Sequence, residues 1–117
     1  MRRAQARIAA EGLKDEHELQ SWFIRRMERW LAARGRRLIG WDEILEGGLA
    51  PGATVQSWRG FEGAVSAARQ GHDTVVSPTS HAYFDYDPVR LPLSRVYAFE
   101  PVPGELEDEH RGRIDVT

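Results

Sequence analysis

Between Glu16 and Arg34 the apolar residues recur at steps of three and four: Leu19, Trp22, Phe23, Met27, Trp30 and Leu31. That spacing predicts an amphipathic helix over residues 16–34, with those side chains as its buried stripe and Trp22 and Trp30 in the packing. Asp15 is placed to cap it, Glu18 to complete a capping box and Gly35 to stop it. A weaker helical pattern over residues 4–11 ends at Gly12. After the long helix the pattern changes. Leu38 to Trp41 reads as a short buried strand, and Asp42 to Glu46 as a helical turn stopped by Gly47-Gly48. Thr54 to Trp58 is a second strand, and Phe61 to Gln70 a helix built on Phe61, Ala64, Val65 and Ala68. Asp73 to Ser77 is a third strand, ended by Pro78. From Thr79 the periodicity fails. Pro88, Pro92, Pro101 and Pro103 predict irregular chain with one helical turn near residues 94–99, and the acidic, apolar-poor residues 104–117 predict a mobile tail.

Alternation of helix and strand with short links predicts an α/β fold with parallel strands. Three such strands do not close on themselves, and their outer edges would stay unpaired. A closed barrel of this type takes eight strands and about 250 residues. The chain, at 117 residues, is therefore expected to be a single domain, 1–117, forming part of a (β/α)8 TIM barrel. The alternative is a small open sheet that completes itself by dimerising. Exposed barrel edges also predict self-association.

Composition narrows the partners. Apolar residues make up 41% and charged residues 29%, with a formal net charge of −2 and a pI near 6.1. That balance predicts no general attraction to nucleic acid. Arg25, Arg26, Arg29, Arg34, Arg36 and Arg37 crowd together, which reads as a solvated helix face, or alternatively as a phosphate-binding patch. Without cysteine there is no disulfide framework and no thiolate metal site, and the compartment is left open. No apolar run approaches the roughly 20 residues of a membrane span, so no membrane partner is predicted. The amino-terminal residues lack the apolar core of a secretory signal. His17, His72, His81 and His110 show no metal-ligand spacing, and no glycine-rich phosphate loop is present. No cofactor or metal is predicted.

The chemistry-bearing residues gather where strands end. Asp42-Glu43 follows the first strand, and two carboxylates suit acid–base work on a glycosidic bond. The competing reading is that one caps the following turn and the other pairs with an arginine. Neighbouring strand residues point to opposite faces, so both do not easily reach one bond. Trp41 and Trp58 each end a strand and precede a charged residue. They are either packing or two walls of one pocket suited to a sugar face or the methyl of an acetamido group. Tyr83 and Asp85 follow the third strand and would face the same way if that segment is extended, one donating and one accepting hydrogen bonds.

Four segments together carry a family resemblance: Glu18-Leu19-Gln20-Ser21-Trp22-Phe23; Gly35-Arg36-Arg37-Leu38-Ile39-Gly40-Trp41-Asp42-Glu43-Ile44; Val55-Gln56-Ser57-Trp58-Arg59-Gly60; and Tyr83-Phe84-Asp85-Tyr86. From about residue 12 to 103 the chain resembles the β-N-acetylhexosaminidases of glycoside hydrolase family 20. The resemblance implies a (β/α)8 barrel, with this chain holding its fifth, sixth and seventh strands. It implies removal of terminal β-linked N-acetylglucosamine or N-acetylgalactosamine from a glycan, with the substrate's own acetamido oxygen as nucleophile and no cofactor. By that resemblance Trp41 and Trp58 match the tryptophans enclosing the acetamido group. Tyr83 matches the catalytic tyrosine that hydrogen-bonds its oxygen, and Asp85 the acid that binds a sugar hydroxyl. Asp42 and Glu43 do not match the catalytic Asp-Glu pair, which lies on the fourth strand after a His-x-Gly-Gly type segment that this sequence lacks. They take supporting roles. The general acid is then expected before Met1, and the eighth strand, with a further tryptophan, beyond Thr117. Family members are often secreted, periplasmic or lysosomal. Two other readings stay open: a non-catalytic carbohydrate-binding or scaffold module derived from the same barrel, and an interaction domain that uses the arginine-rich helix.

Overall fold

A computed structural model describes residues 2–115; Met1, Val116 and Thr117 lie outside the described residues. In chain order the elements are α1 (Arg2–Glu11), α2 (Glu16–Ala32), β1 (Ile39–Trp41), a 3₁₀ turn (Asp42–Leu45), β2 (Thr54–Ser57), α3 (Glu62–Arg69), β3 (Thr74–Val76), α4 (Leu93–Tyr97), α5 (Asp108–Arg111) and β4 (Ile114–Asp115). The strands form one parallel sheet in the order β1-β2-β3-β4, so each new strand is laid beside the last. Trp41 lies opposite Gln56 and Ser57 opposite Val76. This register brings the segments that leave β1, β2 and β3 to one end of the sheet.

The long helix forms where its pattern predicts, but its buried face is rotated. Asp15 caps it through the Glu18 amide at 2.9 Å. Glu18 reaches the Lys14 amide instead of closing the box on Asp15. Gly35, at φ 67°, ends the helix; its N–H bonds to Ala32 O, and that of Arg36 to Leu31 O, the paired bonds of a Schellman turn. Ile24, Met27 and Leu31 pack on the core of Leu38, Ile44, Ala50, Ala53, Val55 and Ala67. Phe23 and Trp30, expected inside, are 51% and 53% exposed. Trp30's place is explained by an arginine: the Arg34 guanidinium lies 3.9 Å from its ring centre, and Arg7 and Arg26 likewise flank the half-buried Trp22.

The core-facing side of α2 also carries polar residues that hold the segment after β1. Gln20 donates to Glu43 O at 2.7 Å and Ser21 to Glu46 O at 2.6 Å. Helix and turn are thereby fixed to each other by backbone acceptors, which constrains where residues 42–46 point.

The carboxy-terminal segment, expected as a mobile tail, is built into the fold through Asp115. Leu106 is buried against Val65 and Ala68 of α3, with Ile114 beside them. β4 occupies the place next to β3 where a barrel's following strand runs, short of the position beyond Thr117 at which the eighth strand was expected. Two apolar anchors suffice for this docking, which is why a segment so rich in acids hid it. A double ion pair secures it: Arg69 Nη2 and Nε reach the two Glu107 oxygens at 2.8 and 3.0 Å. That bonding, with help from Glu107's own backbone amide, lowers the Glu107 carboxyl from its ordinary 4.5 to about 2. A carboxyl whose pKa falls on folding stabilises above its unfolded value and loses that contribution as pH drops through its folded one. We therefore expect amide protection of Leu106 and Ile114 to exceed that of an Arg69→Ala variant at pH 6, and the difference to vanish between pH 4.5 and about 2. A difference that persists unchanged at pH 2 contradicts the latch.

Candidate functional site

Trp41 ends β1, and the chain turns at once into the 3₁₀ segment, so the two residues that follow diverge. Asp42 points into the protein and is 3% exposed. Its Oδ1 accepts from Arg59 Nε at 2.7 Å and its Oδ2 from the Trp58 amide at 3.2 Å, with Ser57 Oγ and the Arg59 amide at 3.4 Å. Gly63, near the start of α3, allows this approach: a Cβ there would lie 2.8 Å from Asp42 Cβ. Glu43 points the other way. Both of its oxygens lie 3.2 Å from Trp58 Nε1.

Trp41, Glu43, Trp58 and Tyr83 line one cleft of about 220 Å³ at the carboxy-terminal end of the strands. Trp41 is half exposed; Trp58 and Tyr83 are half buried, their ring centres 6.4 Å apart. Tyr83 also meets Tyr86 at 5.6 Å. Desolvation, followed by the interaction with Tyr86 and then the negative charges of Asp85, Asp42 and Glu43, raises the Tyr83 phenol above its ordinary value. It therefore keeps its proton, and the ability to donate it, well past neutral pH.

Asp85 stands apart. The Tyr86 amide bonds to Tyr83 O at 3.1 Å, so residues 83–86 form a turn and not the extended segment expected. Asp85 is exposed on that turn and does not line the cleft. A larger cleft, about 450 Å³, runs along the inner sheet face toward the other end of the strands. There Asp73 sits between Arg37 and Arg113 at 2.6 and 3.1 Å, so its charges answer one another. In barrels of this kind that end serves stability, and chemistry is carried at the carboxy-terminal end.

Pattern reading named Trp41, Trp58 and Tyr83, which line this cleft, and offered an arginine partner for one of the two acids, as Asp42 has in Arg59; it did not say which arginine, and it missed Ser57 and the Glu43–Trp58 contact. The missing signal was register. With Trp41 opposite Gln56, continuing the register sets Asp42 beside Ser57 and Glu43 beside Trp58, the pairs that the hydrogen bonds join.

Residues 1–110 match the family described as glycosyl hydrolase family 20, catalytic domain. The chain belongs to glycoside hydrolase family 20. It is 52% identical to a beta-hexosaminidase of Porphyromonas gingivalis over 92% of its own length and 15% of that protein's. A beta-hexosaminidase of Vibrio furnissii is 33% identical over 86% of this chain and 18% of its own. Among solved structures, the family-20 exo beta-N-acetylglucosaminidase of Vibrio harveyi in complex with N-acetylglucosamine superimposes with a TM-score of 0.79. The two are 33% identical, and the match covers 95% of this chain and 20% of that one. The chain thus spans less than a quarter of the family-20 proteins it matches, and its four-stranded sheet is part of a TIM barrel.

Proposed function

We propose that this chain supplies the acetamido-binding part of a family-20 β-hexosaminidase site, acting on terminal β-linked N-acetylglucosamine or N-acetylgalactosamine. The observation that carries the reading is the shared cleft of Trp41, Trp58 and Tyr83. Two indoles offer flat apolar walls to an amide methyl, and a protonated phenol offers a donor to the amide oxygen. Held in this way, the amide oxygen attacks the anomeric carbon as the leaving oxygen departs with a proton from an acid, giving a cyclic oxazolinium ion that water reopens with retained configuration. An intramolecular nucleophile of this kind draws on effective molarities that reach roughly 10⁵–10⁸ M. Asp85, exposed on the turn beyond Tyr83 and outside the cleft lining, would have to reach across to accept from a hydroxyl of the same sugar.

The proton donor is not supplied by the described residues of the cleft. Its carboxylate, Glu43, has both oxygens at the Trp58 indole N–H, and a general acid must instead present a proton to the leaving oxygen. The test is twofold. The chain should bind N-acetylglucosamine in preference to glucose, and it should release no chromophore from 4-nitrophenyl N-acetyl-β-D-glucosaminide. Equal binding of the two sugars removes the acetamido pocket; sustained turnover by the chain alone overturns the assignment of the acid elsewhere.

A further inference from the structure

We propose that Glu43 is a positioning residue, which sets the plane of the Trp58 indole and through it the width of the acetamido pocket. The inference rests on the functional reading above and adds a residue to it. Trp58 leaves β2 at Ser57, just where regular backbone pairing ends, so its side chain needs another restraint. Two neighbouring carboxylates supply it at both ends of one residue. Asp42 accepts from the Trp58 backbone N–H and from Arg59, fixing the main chain; Glu43 accepts from Nε1, fixing the ring. An indole N–H is a donor only and has a single proton, so a carboxylate across it removes rotation of the ring about its side-chain bonds.

The Glu43 backbone is itself held, because its carbonyl accepts from Gln20 of α2 at 2.7 Å. The carboxylate is thus presented from a fixed base. The Tyr83 ring lies 6.4 Å from that of Trp58, so a swing of the indole would disturb the phenol as well as the apolar wall. Adjacent acids that face opposite ways cannot share one glycosidic bond, but they can share one tryptophan.

The experiment compares the 117-residue chain with Glu43→Ala, Glu43→Asp, Glu43→Gln and Trp58→Phe variants. It uses the Trp58 indole N–H resonance and titration with N-acetylglucosamine. Glu43→Ala should move the indole resonance toward that of a solvated tryptophan and weaken binding about fivefold, the loss of roughly one net hydrogen bond. Glu43→Asp keeps the charge but shortens the reach, and should behave like Glu43→Ala. Glu43→Gln keeps an acceptor at the same reach and should return both readouts to within about twofold of the wild type. In the Trp58→Phe background, which has no indole proton, Glu43→Ala should have no further effect. Independent, additive losses would overturn the proposal, as would an indole resonance unmoved by Glu43→Ala. Should Glu43→Ala fail to fold, Glu43→Gln and Glu43→Asp still separate reach from charge. Failure of the wild-type chain to bind the sugar would overturn the pocket reading, whereas the resonance reports separately on the Glu43–Trp58 link.

Discussion

Asp42→Ala should lower the unfolding free energy by about 2–4 kcal/mol, mostly through one partly buried amide left without an acceptor and the space left behind. Asp42 is 3% exposed and gathers the Trp58 amide, Arg59 Nε and two longer contacts. Removing it strands the Trp58 N–H, because Glu43 faces away and cannot replace it. Arg59 loses less: its guanidinium is half exposed, finds water and still has Glu46 within 3.8 Å. Ser57 keeps its bond to Gly60 O at 2.7 Å. The size of the effect therefore rests on the backbone donor and not on the ion pair, and Asp42→Asn, which retains one carbonyl oxygen, should recover about half of the loss. Urea unfolding measures both. An Asp42→Asn midpoint no better than that of Asp42→Ala would assign the stability to charge instead.

Gly47→Ala should cost about 3 kcal/mol, the sum of a left-handed backbone, about 1–2 kcal/mol, and an overpacked contact, about 1–3 kcal/mol. Gly47 has φ 76°, and a Cβ there would collide with the His17 carbonyl and lie 2.9 Å from Ser21 Oγ. Neither neighbour yields cheaply: one is helix backbone, the other is bonded to Glu46 O. Relief would require α2 to lift from residues 43–48, taking with it the Gln20 bond that sets Glu43. Gly35→Ala provides the comparison. Its φ is 67° and nothing lies within 4 Å, so only the backbone cost, about 1–2 kcal/mol, should appear. Thermal or urea unfolding of the two variants separates strain from contact; equal losses would show that the His17 contact is relieved at no cost.

Much of this arrangement was legible beforehand where a residue's neighbours lie close in sequence. The strands around Ile39, Val55 and Val75 and the helix stop at Gly35 depend on local periodicity and turn chemistry, and they appear within a residue or two of where the pattern puts them. The pocket residues Trp41, Trp58 and Tyr83 were legible because each ends or follows a parallel strand, and parallel strands deliver their ends to one rim. The face of α2 was misread because aromatic residues were given to the core, whereas Trp22 and Trp30 stack under arginines that the pattern counted only as solvated charge. β4 was missed because strand identity there depends on a long-range partner, Thr74 against Ile114, and on Leu106 finding α3. An arginine partner for one of the two acids was offered, but that it is Arg59, and that Glu43 meets Trp58, depends on register between strands.

Trp41 and Ile39 project from the inner face of the sheet at 50% and 58% exposure, so one wall of the cleft is wet. If Tyr83 holds an acetamido oxygen as proposed, solvent there competes with its hydroxyl, and a hydrogen bond made in such competition nets only about 0.5–1.5 kcal/mol. The same donor in a dry, low-permittivity enclosure, aimed at charge as it develops, can be worth about 10²–10³ in rate. On the proposed reading, the described residues would set which group is recognised, while the catalytic leverage of the phenol would depend on solvent being excluded above Trp41.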